Sequence, residues 1–255
     1  GVGETLAENV GDQVAQMRPH KTTQLIPAMK VFAAFIRAAR DLTQRKILVH
    51  ALWPPLVSLA AWSVIAVALW EPAAATLAAM LPHWPWLSAG WVADWLVNAI
   101  LLLALAPLVY FTALFLVAVF ALPLMMTLVA ARDYPDVARY GTHVVWGSVA
   151  NTLLAGLVFV LGWLITLPLL LIPGVLLVMP LAWAAWLNQR TFRFDALAEH
   201  ATADERRRII LRCQPQLLLA GAGTALLAYI PLINLLAPAW TAIVFVHLCL
   251  GALRR

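Results

Sequence analysis

The sequence predicts an all-α integral membrane protein with two long transmembrane helices, two broken, partly inserted helical hairpins and an N-terminal interfacial helix. Three observations carry that prediction. Apolar residues make up 64% of the 255-residue chain and charged residues only 11%, with runs of twenty or more free of charge, a balance that a water-soluble fold does not need. Every Lys and Arg falls in one of four places: the region up to Lys46, the Arg132 to Arg139 loop, the Arg190 to Arg212 segment and the Arg254-Arg255 end. The last apolar stretch, Leu217 to Leu250, is interrupted by Ile230-Pro231-Leu232-Ile233-Asn234-Leu235-Leu236-Ala237-Pro238. Its limbs, Leu217 to Ile230 and Pro238 to Leu250, would reach ~21 Å and ~20 Å against ~30 Å of hydrocarbon, so neither is expected to cross alone.

Residues 1–28 are polar, contain no central apolar region and are expected to form a flexible extension; residues 29–255 are expected to form one membrane domain. From Met29 onwards Phe32, Phe35, Ile36, Ala39 and Leu42 share one helical face, with Lys30, Arg37, Arg40, Asp41 and Gln44 largely opposite, the pattern of a helix lying on the inner leaflet. Ile47 to Trp70 reads as the first span, with Pro54-Pro55 expected to bend or restart it. The second span, from about Leu96 to Ala131, would be ~54 Å long if straight and is expected to tilt, to bend at Pro107 or Pro123, or to protrude. Between them the connector offers only Glu71, His83 and Asp94 besides Trp70, Trp84, Trp86, Trp91 and Trp95, an outer interfacial belt. The positive-inside rule then puts both termini and the charged loops in the cytoplasm.

Val144 to Leu187 is a second interrupted run, broken at Pro168 and Ile172-Pro173-Gly174, with a return from Val175 to Leu187 of only ~20 Å. The Arg190 to Arg212 segment between the two hairpins reads as a solvated amphipathic helix, opened by a Thr202-x-x-Glu205 capping box.

A hairpin that turns within the bilayer ends one helix and begins another there, exposing backbone donors that carry partial positive charge. Such helix starts hold anions in transporters, which makes Gly174 and the Asn234 to Pro238 tip candidate anion contacts; the bland alternative is packed protein. Thr43-Gln44-Arg45-Lys46, where the surface helix meets the first span, is a second candidate, with two cations and two hydrogen-bonding side chains at the inner interface. Basic residues there also serve orientation and lipid headgroups. His50 and His247 lie in apolar runs, as proton relays or as packed histidines. Cys213 and Cys249 have no metal-type spacing and read as small apolar residues. No catalytic motif, phosphate-binding glycine loop or paired intramembrane carboxylate is present, so no enzyme activity, cofactor, metal or nucleic-acid partner is expected.

Several motifs, in their order along the chain, resemble the CysZ-type sulfate permease family, which also contains the etoposide-induced, autophagy-linked membrane proteins of the endoplasmic reticulum. They are Ile172-Pro173-Gly174, the Trp183 to Asp195 run with Arg193-Phe194-Asp195, the basic Asp204 to Arg212 helix, Gly221-Ala222-Gly223 and, most specifically, Ile230 to Pro238. The resemblance runs from Val31 to the C-terminus. It implies two long spanning helices with two partly inserted hairpins, a homo-oligomer among membrane lipids, and inward movement of sulfate or a similar small anion for cysteine synthesis, in the bacterial inner membrane. In that family a Gly-Leu-Arg type loop before the first span is tied to sulfate. Here the stretch is Thr43-Gln44-Arg45-Lys46-Ile47, which keeps the cations and lacks the glycine. The eukaryotic relatives imply a different class of function, a non-transporting membrane scaffold or homeostasis factor.

Overall fold

The computed structural model describes residues 27–81, 90–140, 144–230 and 233–254. Those residues are helical almost throughout and contain no strand, and four helical segments are long and apolar enough to cross a membrane. The protein is an all-α integral membrane protein. Most of the expected flexible extension, and Trp84, Trp86 and His83 of the outer connector, lie outside the described residues.

Helix α1, Pro27–Leu42, opens on a proline whose fixed φ suits the first helical position. It is amphipathic, but its inward face is Val31, Ala34, Ala38 and Leu42 together with Asp41, while Phe32 and Ile36 are exposed. Small side chains let α1 sit close to the bundle, and the larger ones are left for the lipid interface. Phe35 lies between the two faces, against Gly223, which has no Cβ to obstruct the ring.

Helix α2, Arg45–Met80, runs ten residues past the expected end at Trp70 and carries Pro54, Pro55 and Pro72 in its interior without ending. Beyond Glu71 the chain is Ala-rich, and high intrinsic propensity carries the helix on. α3, Gly90–Leu116, packs along α2 as an antiparallel partner. Ser58 donates to the Val109 carbonyl (2.8 Å), Trp62 Nε1 to Thr112 (2.9 Å) and Trp70 Nε1 to Asn98 (2.9 Å), a row of polar contacts between otherwise lipid-facing helices. The long second span stays helical from Gly90 to Asp133, through both Pro107 and Pro123, and changes only its hydrogen-bond pattern. Val117–Ala121 winds as one wide π turn, with Leu122 N–H bonded to the Val117 carbonyl, and α4, Leu122–Asp133, continues from it. The π turn ends two residues before Pro123, whose ring leaves no N–H to donate there.

The first hairpin consists of α5, Val144–Thr166, a tight 3₁₀ turn at Leu167–Leu171 containing Pro168, and α6, Val175–Ala198. Gly174 caps α6 at φ 88°, a left-handed conformation that favours glycine. The second consists of α7, Ala203–Leu227, and α8, Ile233–Leu253. Two sequence expectations change here. α5 and α8 are ~34 Å and ~31 Å long, so each hairpin pairs one limb of full crossing length with one short apolar limb, instead of two short limbs. The reason at α8 is that the helix starts at Ile233, five residues before the expected start at Pro238, and takes Pro238 into its first turns. The Arg190 to Arg212 segment is likewise two helix ends joined by a turn, not one solvated helix. The expected capping box is present: Glu205 N–H bonds to the Thr202 hydroxyl and Thr202 N–H to the Glu205 carboxylate at 2.9 Å.

α8 is the centre of the molecule, with α1, α4, α6 and α7 packed around it. Ile243, Val244, Phe245, Val246 and Leu250 are buried, and Phe245 stacks on Phe192 of α6 with centroids 6.1 Å apart.

Candidate functional site

The C-terminal end of α8 meets the C-terminus of α1, the end of α4 and the turn between α1 and α2. A charged network forms there in a largely apolar setting. Asp41, 4% exposed, accepts from Arg132 Nη2 at 2.6 Å and from His247 Nε2 at 2.8 Å. Arg132 also bonds Asp133 through Nε at 2.6 Å. With the proton on Nε2, His247 Nδ1 accepts from the buried Tyr134 hydroxyl at 3.1 Å. Burial alone would raise the Asp41 pKa, but the hydrogen bonds and charges of His247 and Arg132 outweigh it and hold the carboxyl below its usual value. Burial pushes the Tyr134 phenol up, so it stays a neutral donor. Asp41, Asp133 and His247 converge closely enough to hold a cation, and the Arg132 guanidinium, bonded to both carboxylates, supplies that positive charge.

The sequence-derived anion residues divide between this corner and the hairpin tips. Gln44 is tied into the network: its amide donates to Asp41 Oδ1 at 3.1 Å and its carbonyl oxygen accepts from Arg132 Nη1. Thr43 closes the end of α1 by donating to the Arg40 carbonyl at 2.7 Å. Arg45 and Lys46 begin α2, are exposed, and have no carboxylate partner among the described residues. The residue before them, Gln44, is thus held by side-chain bonds to Asp41 and Arg132 while their own charges have no ion-pair partner among the described residues. His50 bonds back to the Lys46 carbonyl at 2.5 Å and takes no part in the network.

Asn234 is thirteen residues from His247 along α8, ~20 Å away, at the opposite end of the helix. Its N–H is engaged by the Ile230 carbonyl at 2.9 Å. Gly174 is exposed with open space around it, and Val175 N–H already bonds the Ile172 carbonyl at 3.1 Å. The structure thus brings Thr43 to Lys46 together with Asp41, Arg132 and His247, and keeps Gly174 and Asn234 apart from them.

Sequence reasoning missed Asp41, Arg132 and Tyr134 as members of this corner. Asp41 had been assigned to the polar face of α1, yet it is one residue from buried Leu42. A carboxylate beside apolar positions, a histidine in an apolar run and an arginine closing a span were the available signals, and none of them names its partner.

Fold and site together define a multi-pass helical membrane protein with a charged network at the C-terminal end of its central helix. The model of the sulfate transporter CysZ/etoposide-induced protein 2.4 family matches residues 34–238, and the chain belongs to that family. No curated protein and no solved structure is significantly similar to it.

Proposed function

We propose that the protein moves sulfate or a similar small anion across the bacterial inner membrane for sulfur assimilation, as a homo-oligomer with both termini in the cytoplasm. The observation that carries this reading is the exposed Arg45-Lys46 pair, unpartnered among the described residues and fixed at the start of a spanning helix by the Gln44, Asp41 and Arg132 bonds. Free cations on a rigid backbone attract an oxyanion without first breaking an ion pair. Family membership adds to it, and the charge bias supports the orientation. Gly174 and Asn234 would contribute further along the path. Arg45→Ala/Lys46→Ala in proteoliposomes is expected to lower uptake of labelled sulfate at least tenfold. Uptake by the wild type no faster than by empty liposomes would overturn the proposal.

One observation favours the other class, a non-transporting scaffold: Leu171 and Leu177, on either side of the Gly174 turn, are 87% and 80% exposed, as a lipid- or partner-facing wedge would be. Single cysteines at Gly174 and Asn234, in a background without Cys213 and Cys249, separate the two. Reaction with a membrane-impermeant thiol reagent supports a wet path, and inertness of both supports the wedge.

A further inference from the structure

Away from the corner, the C-terminal part of α6 carries two arginines that form no ion pair among the described residues. Arg190 and Arg193 are one helical turn apart on α6 and both are partly buried. The ion pairs among the described residues involve Arg132, His247 and Arg254, so neither has a carboxylate partner. Asp195 is only two residues from Arg193, but it points to α5 and accepts from the Ser148 hydroxyl. Arg193 Nη1 donates to two neutral oxygens, Gln189 Oε1 at 2.6 Å and Gln214 Oε1 at 3.4 Å, which fix it between α6 and α7. Burial lowers its basicity, and the nearby charge of Arg190 lowers it further. The Arg190 guanidinium lies over the Trp186 ring at 5.7 Å, and its buried Nε has no acceptor. Arg206, from the first turn of α7, stacks at 4.9 Å on Phe194, the neighbour of Arg193, and its buried Nε also lacks an acceptor.

Buried donors and like charges normally come with partners, because leaving them bare costs more than the packing returns. Carboxylates within reach would have been the simple solution, and the one that is near is turned away. A tetrahedral oxyanion supplies what is missing: several acceptor oxygens and a negative charge, matched to the guanidinium fork.

We propose that Arg190 and Arg193 form an oxyanion-binding site where α6 packs on α7, separate from the Arg45-Lys46 mouth. Its ligand is a sulfate or phosphate group, either free or as the headgroup of an anionic lipid. The site stands whether or not the protein transports.

The test uses the full chain purified in detergent. Calorimetric titration with sodium sulfate and with phosphate reads the free anion, and native mass spectrometry after exposure to phosphatidylglycerol or phosphatidylcholine reads the headgroup. Arg190→Gln/Arg193→Gln is expected to weaken one of these by about ten- to a hundredfold, the loss of two charge-assisted contacts. Loss of sulfate or phosphate binding identifies a free anion; loss of preferential phosphatidylglycerol retention identifies a lipid. Both measurements are made in an Arg45→Ala/Lys46→Ala background, so that the signal read is that of the α6 arginines and not of the mouth. Should the double glutamine variant not fold, Arg190→Lys/Arg193→Lys keeps the charge but loses the fork and is expected to bind several-fold more weakly. Unchanged anion binding and unchanged lipid preference in a folded variant of either kind would overturn the proposal.

Discussion

α8 and the α5 limb are similar by composition, both uncharged, strongly apolar and long enough to cross a bilayer, yet they occupy different solvents. In the most apolar window of Ile233–Leu253, 61% of residues are buried inside the protein; in that of Trp146–Leu171, 6% are. α8 is surrounded by four helices, whereas α5 touches essentially one, α6, through a narrow stripe. That stripe is Gly147 against Phe194, Ser148 with Asp195, Asn151 with the Arg190 carbonyl, the fully buried Ala155, and Gly162 and Thr166 against Trp183. Hydrophobicity measures removal from water and cannot distinguish lipid from protein as the destination. Small and polar residues at helical spacing can, since they let backbones approach and hydrogen-bond across the contact.

The largest test of this contrast is in the two apolar faces. Phe245→Ala in α8 removes a fully buried ring stacked on Phe192 and should cost about 3–5 kcal/mol. Leu164→Ala in α5, at a position 61% exposed, leaves no cavity and should cost under about 1 kcal/mol. Reversible unfolding in mixed micelles measures both, and equal losses would erase the distinction between a protein-buried and a lipid-facing span.

Next comes the charge at the C-terminal end of α8, compared with its exposed counterpart. Asp41→Ala strips both Arg132 and His247 of their acceptor and should cost about 3 kcal/mol, the lower end for a buried pair because Arg132 is 38% exposed. Asp136→Ala breaks the Arg254 pair, whose side chains are about half exposed, and should cost under about 1 kcal/mol. The folded pKa of Asp41 lies below its ordinary value of 3.8, so its contribution is complete above that pH and is lost as pH falls through the lower value. The stability gap between wild type and Asp41→Ala should therefore stay open near pH 4 to 5 and close only in stronger acid.

Glycines sharpen the contrast at helix contacts. A Cβ at Gly221 would overlap the Ala185 carbonyl oxygen, a backbone atom, so Gly221→Ala must push α6 and α7 apart and should cost about 1–3 kcal/mol. Gly156 in α5 has nothing within 4 Å, and Gly156→Ala should instead stabilise by up to about 1 kcal/mol through helix propensity. A matching sign for the two substitutions would mean that α5 is more enclosed than its exposure indicates.

Much of this architecture was legible in the sequence because its causes are local. Charge-free runs give the spans, Ile172-Pro173-Gly174 gives the interruption between α5 and α6, and Thr202 with Glu205 gives the helix start. Of the two prolines in the second span, Pro107 lies inside regular α-helix and Pro123 follows a π turn, a difference that the sequence does not mark. Helix ends were less legible: Glu71 and Pro238 look like stops, but alanine-rich and apolar neighbours carry the helices past them. Of the candidate site, the Thr43 to Lys46 turn was legible as a cationic helix junction. Its anchor was not, because Asp41 and His247 are 206 residues apart, and the balance that lets a charge be buried exists only once α1 and α8 meet.

The smallest effect lies on the α5 stripe, at Asp195. Burial raises the pKa of this carboxyl, and the Ser148 hydroxyl only partly offsets that, so ionising it inside the hairpin opposes folding. The sign is opposite to that of Asp41: a folded pKa above the unfolded one costs stability once the pH exceeds the unfolded value, and the cost disappears as the pH falls below it. Asp195→Asn keeps an acceptor for Ser148 and removes the charge. At neutral pH the variant should unfold at the same temperature as the wild type or slightly above it, and the difference should vanish towards pH 4. A drop in stability at neutral pH would mean that Asp195 is held ionised by a cation, and Arg193 is the nearest candidate in sequence. In that case the arginines on α6 would already have their counter-charge, and the hairpin would be joined by an internal ion pair in place of the small-residue stripe that sets α5 apart from α8.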